Sequence, residues 1–269
     1  MKNQRFFTRQ LCACGPKFAG LERNGDFMKM EFGFPRELEK AKKERWPLCI
    51  PVGVLEYHAE HCALGCDTLI PYHLLQRFEE QKNIVLAPPI WYGPSSYCVA
   101  GPEKNSINVD CDVFEQYMYN ILKPLLYGGW RNFYMIIIHQ SEAPNPTELA
   151  CLKAAKKLLF EYLQDTKGIG WWGKPENNDF AETLESNDNP WNWFKVMPVM
   201  RRTPGVEMPL DHAGYNETSL LWASCPQAVD INRLKDSKEW FCQSAKDASV
   251  VHGEELIEDI FEYWKETII

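Results

Sequence analysis

The chain has 269 residues, of which 45% are apolar and 25% charged, so it can form a globular protein with a large core. Its formal net charge of −8 argues against nucleic acid and anionic membranes as partners, because both attract basic patches. No stretch approaches the roughly 18 apolar residues of a spanning helix, and the basic N-terminus lacks the apolar run of a signal peptide. We therefore expect a cytoplasmic protein.

Apolar runs and helical periodicities alternate along the chain, which predicts βαβ units, a mostly parallel sheet and a single domain over 1–269. Asp67 is placed to cap the second helix. After an irregular arm over 1–34, the predicted elements are helix 35–44, strand 48–55, helix 68–81, strand 84–87, helix 113–126, strand 133–138, helix 147–164, helix 214–222 and helix 254–266.

The segment 168–204 interrupts this pattern. It combines tryptophans with Asn, Asp, Gly and Pro, and connections of this length inside a compact domain are usually functional or disordered. The tryptophans argue against disorder, so we expect a lid over the substrate or an oligomer contact. These residues are Trp171, Trp172, Trp191 and Trp193.

Four potential metal ligands follow the first central strand within twelve residues. They are Glu56, His58, His61 and Asp67. A carboxylate and an imidazole two positions apart on an extended segment point to the same side. This cluster therefore predicts half of a metal site at the carboxyl end of a strand.

Two further segments can supply the other half, because ligands of open α/β sheets bind beyond the carboxyl ends of the strands. The apolar run 133–138 ends in His139, and a second polar group surrounds the start of a later helix. The residues of these two segments are His139, Gln140, Ser141 and Glu142, and then His212 and Glu217.

The ten cysteines are scattered and lack the CxxC pairs of a zinc ribbon, so most are interpreted as small buried hydrophobes. Cys62 and Cys66 flank the ligand cluster, and we expect them to line its pocket rather than to bind a metal.

Three segments together resemble the creatininase (creatinine amidohydrolase) family. They are Gly53-Val-Leu-Glu-Tyr-His-Ala-Glu-His61 with Gly65-Cys-Asp-Thr68, the strand ending in His139, and His212-Ala-Gly-Tyr-Asn-Glu-Thr-Ser219. The resemblance implies a three-layer α/β/α sandwich and commonly a homohexamer. It also implies a site with two divalent ions, zinc or manganese or both.

Carried over from the family, Glu56 and His139 bind one metal, His58 binds the other, and Asp67 bridges them. The last carboxylate is open. Creatininase itself has a glutamate two residues after the second-strand histidine, where this chain has Ser141. We expect Glu217 to take this role, with Glu142 in reserve.

The resemblance also implies a reaction. A dinuclear metal-bound hydroxide opens a small cyclic amide or amide-like ring, and His212 passes a proton to the leaving atom. Three ligand carboxylates against two divalent ions leave about one positive charge, which a bridging hydroxide neutralises. The predicted substrate pocket comprises His61, Tyr97, Gln140, Ser141, Trp171 and Trp172.

Two other functions stay open. The resemblance also implies a second candidate reaction, hydrolysis of a carbon–carbon bond that opens a cyclic diketone derived from inositol, which needs a similar site. The loop 91–105 departs from the family pattern, with Ser96-Tyr97-Cys98 in place of a histidine, which fits a metal-binding scaffold without catalysis.

Overall fold

The computed structural model describes residues 28–139, 144–202 and 211–269. Within them, one sheet has the strand order β1-β3-β2-β4-β5, and every neighbouring pair is parallel. Its strands are β1 (Met28–Lys29), β2 (Leu48–Val52), β3 (Val85–Leu86), β4 (Phe133–Ile137) and β5 (Phe194–Pro198). The helices are α1 (Pro35–Lys43), α2 (Cys66–Phe78), α3 (Cys111–Tyr127), α4 (Pro146–Lys167), α5 (Tyr215–Ser224) and α6 (Val250–Thr267).

The two central strands are buried on both faces, and alternate side chains pack into different helical layers. In β2, Leu48, Ile50 and Val52 join an apolar cluster with α1, α3 and α4. Cys49 joins a second cluster with α2, α5 and α6, and β4 alternates in the same way. The predicted three-layer α/β/α sandwich with a mostly parallel sheet is therefore confirmed.

Several predicted boundaries are wrong near the site. The β2 ladder ends at Val52, and Leu55 makes only an isolated bridge to Ile107. Helix α2 begins at Cys66, so Asp67 lies inside its first turn, and Gly65 at the N-cap supplies no side-chain hydrogen bond. Asp67 does not cap the helix because its carboxylate is turned toward buried histidines instead.

The prediction that 168–204 lacks regular structure is also wrong, since the segment contains three short 3₁₀ helices and strand β5. β5 lies at the edge of the sheet and is only partly buried. Because it carries Lys195 and ends in Pro198, it shows neither an apolar run nor clear alternation. The arm likewise contributes β1 at its end, while residues 1–27 lie outside the described part of the chain.

The tryptophans of this segment lie at the amino edge of the sheet. Helix α4 starts beside His139 and runs for 22 residues, about 33 Å, to Lys167 at the opposite edge. There the Trp193 carbonyl accepts a hydrogen bond from Phe133 N, the first residue of β4. Trp171, Trp172 and Trp191 pack together and line a cavity of about 560 Å³ at this edge.

Within the described ranges, no helix is both long enough and apolar enough to cross a membrane.

Candidate metal centre

The carboxyl ends of β2 and β4 bring the first two segments of the site together. Val52 pairs with Ile137, so the chain leaves both strands at the same edge of the sheet. Glu56 and His58 lie in the loop after β2, and His139 lies two residues beyond β4. All three side chains are buried.

Asp67 reaches the cluster because α2 starts against the end of β2. Gly53 permits this approach, since an added Cβ would lie 2.3 Å from Thr68 Oγ1 and 2.8 Å from the Asp67 carbonyl carbon. Any larger side chain at this position would separate helix and strand. The glycine therefore sets the distance at which Asp67 faces the two histidines.

One group of potential ligands consists of Glu56, Asp67 and His139. His139 Nδ1 lies 3.4 Å from Glu56 Oε2 and 3.2 Å from Asp67 Oδ2. One ligand atom from each residue lies within 4.8 Å of the others. Two carboxylates and an imidazole are a common donor set for zinc and manganese.

A second group lies on the other side of Asp67. His58 Nε2 is 3.5 Å from Asp67 Oδ1 and 3.5 Å from Glu217 Oε2. His58 Nδ1 donates a hydrogen bond to the Glu56 carbonyl at 2.9 Å, which leaves the lone pair of Nε2 facing the carboxylates. Cys66, the residue before Asp67, forms a group of potential ligands with His58 and Glu217, in which one ligand atom of each residue lies within 4.8 Å of the others.

Glu217 is positioned by the start of α5. Asp211 accepts hydrogen bonds from the backbone N–H groups of Asn216 and Glu217, at 3.1 and 3.0 Å. Glu217 Oε2 in turn accepts one from Ala213 N at 2.7 Å. These contacts satisfy N–H groups at the helix terminus and fix the carboxylate toward His58.

His212 lies at the rim of the cluster. Its Nε2 donates to the Tyr57 carbonyl at 2.9 Å, so Nδ1 carries the lone pair and lies 4.0 Å from Glu56 Oε2. The ring packs on His58 with centroids 4.3 Å apart. Burial, together with the neighbouring His58, lowers the pKa of His212 to about 4, which keeps the imidazole neutral.

Buried groups of opposite charge shift one another's pKa values in this cluster. Burial raises the pKa of Glu217. Burial also opposes ionisation of Asp67, but His58 and His139 hold its pKa well below the usual range. For His139 burial would lower the pKa, yet hydrogen bonds with Asp67 and Glu56 raise it to about 10.

The residues present fit divalent cations. Among the described buried atoms, Glu56 Oε1, His58 Nε2 and His139 Nε2 have no hydrogen-bond partner, although leaving such groups unpaired is costly. Three carboxylates and two imidazoles are also the donor types that divalent ions bind in their deprotonated forms.

Comparisons with known proteins identify the family of this chain. The family model Creatininase, described as creatinine amidohydrolase, matches residues 35–268. The chain belongs to the creatininase family. A relative, the creatinine amidohydrolase of Pseudomonas putida, is 25% identical over 194 residues, which are 70% of this chain and 68% of the relative.

Solved creatininase structures share the fold of this family member. A creatininase mutant complexed with creatine has a TM-score of 0.66 at 18% identity, covering 90% of this chain and 97% of its own. A structure named as creatininase with Mn has a TM-score of 0.64 at 18% identity, covering 90% and 99%. A mutant of the Zn-Zn type has a TM-score of 0.60 at 18% identity, covering 90% and 98%.

The other predicted pocket residues of this creatininase-family chain lie in different places. His61 Nε2 hydrogen-bonds with Thr218 Oγ1 at 3.0 Å, so His61 contacts α5 beside Glu217. Tyr97 is 43% exposed, and its backbone N–H donates to Ser95 Oγ. Trp171 and Trp172 lie at the opposite edge of the sheet, so they do not line this cluster within the same chain. Gln140, Ser141 and Glu142 lie outside the described residues.

Sequence reasoning missed three contributors. Cys66 was expected only to line the pocket, although it directly precedes Asp67 in the first turn of α2. Asp211 could have been found from its place shortly before a helix, which is typical of a capping residue. The Tyr57 carbonyl, which orients His212, has no signal in the sequence because any residue supplies a carbonyl.

Proposed function

We propose that this protein is a dinuclear metal-dependent hydrolase that opens a small cyclic amide or amide-like ring. The observation that carries the proposal is the position of the Asp67 carboxylate. Its Oδ2 lies 3.2 Å from His139 Nδ1, and its Oδ1 lies 3.5 Å from His58 Nε2. A carboxylate that turns one oxygen toward each of two donor groups can bridge two ions.

The proposed ligands follow from these two groups. Glu56, Asp67 and His139 would hold one ion, and His58, Asp67 and Glu217 would hold the other. We prefer Glu217 to Glu142 as the last carboxylate ligand, because the Glu217 carboxylate lies 3.5 Å from His58 Nε2. Three carboxylates offset three of the four positive charges that two divalent ions bring, and the two imidazoles bind as neutral ligands.

Ions bound there would polarise a carbonyl group and acidify a water molecule. The protein itself supplies a buried site and a proton carrier. Because His212 Nε2 donates to Tyr57 O, its free Nδ1 can accept a proton beside Glu56 and deliver it to the leaving nitrogen. With its side chain 24% exposed, His212 can also exchange that proton with solvent.

The substrate class is proposed from the relatives. The Pseudomonas putida protein is named for creatinine, and one similar structure is complexed with creatine. This chain has Ser141 where creatininase has a glutamate, so we propose a cyclic amide without naming creatinine as the substrate. Assembly as a homohexamer and a cytoplasmic location stay predictions.

Metal stoichiometry tests the site. Protein purified without chelator should contain about two divalent ions per chain by elemental analysis, and Asp67→Ala should lose both because the bridge is shared. Asp110→Ala is the matched control, since Asp110 is another aspartate at a helix start but caps α3. One ion or none, unchanged in Asp67→Ala, would contradict the dinuclear proposal.

Activity tests the chemistry. Wild-type protein should hydrolyse members of a cyclic amide panel, and His212→Asn should keep its metal while turnover falls by about 10²-fold or more. His73→Asn, a histidine on α2 outside the ligand groups, should keep wild-type turnover. Turnover of a cyclic diketone alone would favour the carbon–carbon hydrolase. Full metal occupancy with no turnover of either class would favour the scaffold.

A further inference from the structure

The thiol of Cys66 faces the second donor group of the candidate metal centre. Cys66 is the first residue of α2 and is completely buried. Its Sγ, one ring nitrogen of His58 and one carboxylate oxygen of Glu217 all lie within 4.8 Å of one another. The helix therefore brings a sulfur atom into a group otherwise made of nitrogen and oxygen donors.

A second observation indicates a ligand at this place. His58 Nε2 is fully buried and has no hydrogen-bond partner, although it lies 3.5 Å from carboxylate oxygens of both Asp67 and Glu217. His58 Nδ1 already donates to a carbonyl, so the unpartnered atom presents a lone pair. Together with the thiol, one sulfur, one nitrogen and one oxygen donor lie within 4.8 Å of one another, with Asp67 Oδ1 beside His58 Nε2.

We propose that Cys66 is a protein ligand at the second ion position, where its thiolate would complete the donor set of His58, Asp67 and Glu217. The proposal rests on the dinuclear function proposed above. Thiolate, imidazole and carboxylate are all ordinary protein ligands of zinc, and a thiolate is the softest of the three. Binding replaces the S–H bond by a sulfur–metal bond and releases the thiol proton to solvent.

Cys62 provides a matched control four residues earlier. It is also buried, but its Sγ contacts Thr218 Oγ1 at 3.6 Å and is absent from the donor groups of the described residues. Cys62→Ser and Cys66→Ser each replace a buried thiol by a hydroxyl. Only the second should change the metal site.

Cobalt(II) is the probe, because a thiolate ligand adds an intense charge-transfer band in the near ultraviolet. Metal-free wild-type protein and Cys62→Ser should both develop this band as cobalt binds. Cys66→Ser should bind cobalt without it. The zinc affinity of Cys66→Ser should fall at least about tenfold, because even the loss of an outer partner of a metal ligand can cost that much.

The outcomes separate the two proposals. Two cobalt ions bound by wild-type protein without the band, or a band that persists in Cys66→Ser, would overturn the role of Cys66 and leave the dinuclear site intact. Binding of one ion or none, with Asp67→Ala unaffected, would instead overturn the proposed function. If Cys66→Ser does not fold, X-ray absorption at the zinc edge of wild-type protein decides. Sulfur in the zinc coordination shell supports the proposal, and its absence refutes it.

Discussion

Substitution of Gly53 by alanine should loosen the metal centre without removing a ligand. The new Cβ would meet Thr68 Oγ1 at 2.3 Å and the Asp67 carbonyl carbon and oxygen at 2.8 Å. Ordinary contact for a Cβ begins at 3.4 Å, so the start of α2 must move away from the end of β2. Overpacking of this kind costs about 1–3 kcal/mol of stability.

Metal affinity should fall for the same reason. Metal-free Gly53→Ala can relieve the strain by moving Asp67 outward, but an ion shared by both donor groups requires the original position. If the whole 1–3 kcal/mol is coupled to binding, the affinity falls by about 5- to 150-fold. Urea denaturation of chelator-treated protein measures the first effect, and zinc titration against a chromophoric chelator measures the second.

Gly173→Ala is the matched control. A Cβ at Gly173 would meet nothing within 4 Å, and this glycine lies in the tryptophan-rich segment at the other edge of the sheet. We expect its stability to change by less than about 0.5 kcal/mol and its zinc affinity to stay at the wild-type value. The reasoning is refuted if Gly53→Ala keeps both the wild-type denaturation midpoint and the wild-type affinity.

Two other predictions follow from polar groups that are fully or partly buried. The Asn145 side chain caps α4 by accepting a hydrogen bond from Glu148 N, and it donates one to the His139 carbonyl, both at 2.8 Å. Asn145→Ala should therefore lower the free energy of unfolding by about 1–2 kcal/mol, measured by urea denaturation. An unchanged denaturation midpoint would contradict this role. Burial raises the pKa of Glu79 from 4.5 to about 8, so its protonated form stabilises the folded state at low pH and this contribution is lost as the pH rises to about 8. Thermal midpoints of Glu79→Gln should therefore exceed those of wild type increasingly between about pH 5 and pH 8, and a pH-independent difference would refute the shift.

The central part of the fold could be predicted from the sequence because its signals are local. The runs that form β2 and β4 are apolar on both faces, and α2, α3 and α4 show helical periodicity. The two edge strands were missed, because β1 has two residues and β5 is only partly buried. Two residues are too few to show a period, and the β5 sequence Phe-Lys-Val-Met-Pro shows neither strict alternation nor a continuous apolar run.

For the site, the sequence determined which residues are candidate metal ligands. The tertiary structure decided which of these residues lie together in each of the two donor groups. Glu56, His58 and Asp67 stand close together in the chain, and the motif alone singled them out. That Asp67 turns one oxygen to His58 and the other to His139 depends on the approach of α2 to β2, which no local pattern encodes.

The more distant contributors depended entirely on packing. Glu217 joins His58 from a helix more than 150 residues away, and the helical start that carries Asp67 also turns the thiol of Cys66 toward that pair. Conversely, Trp171 and Trp172, which composition suggested for the pocket, lie at the amino edge because α4 carries the chain across the sheet before they occur. Sequence determines local chemistry and periodicity, whereas the distances between distant segments are fixed only when the helices pack on the sheet.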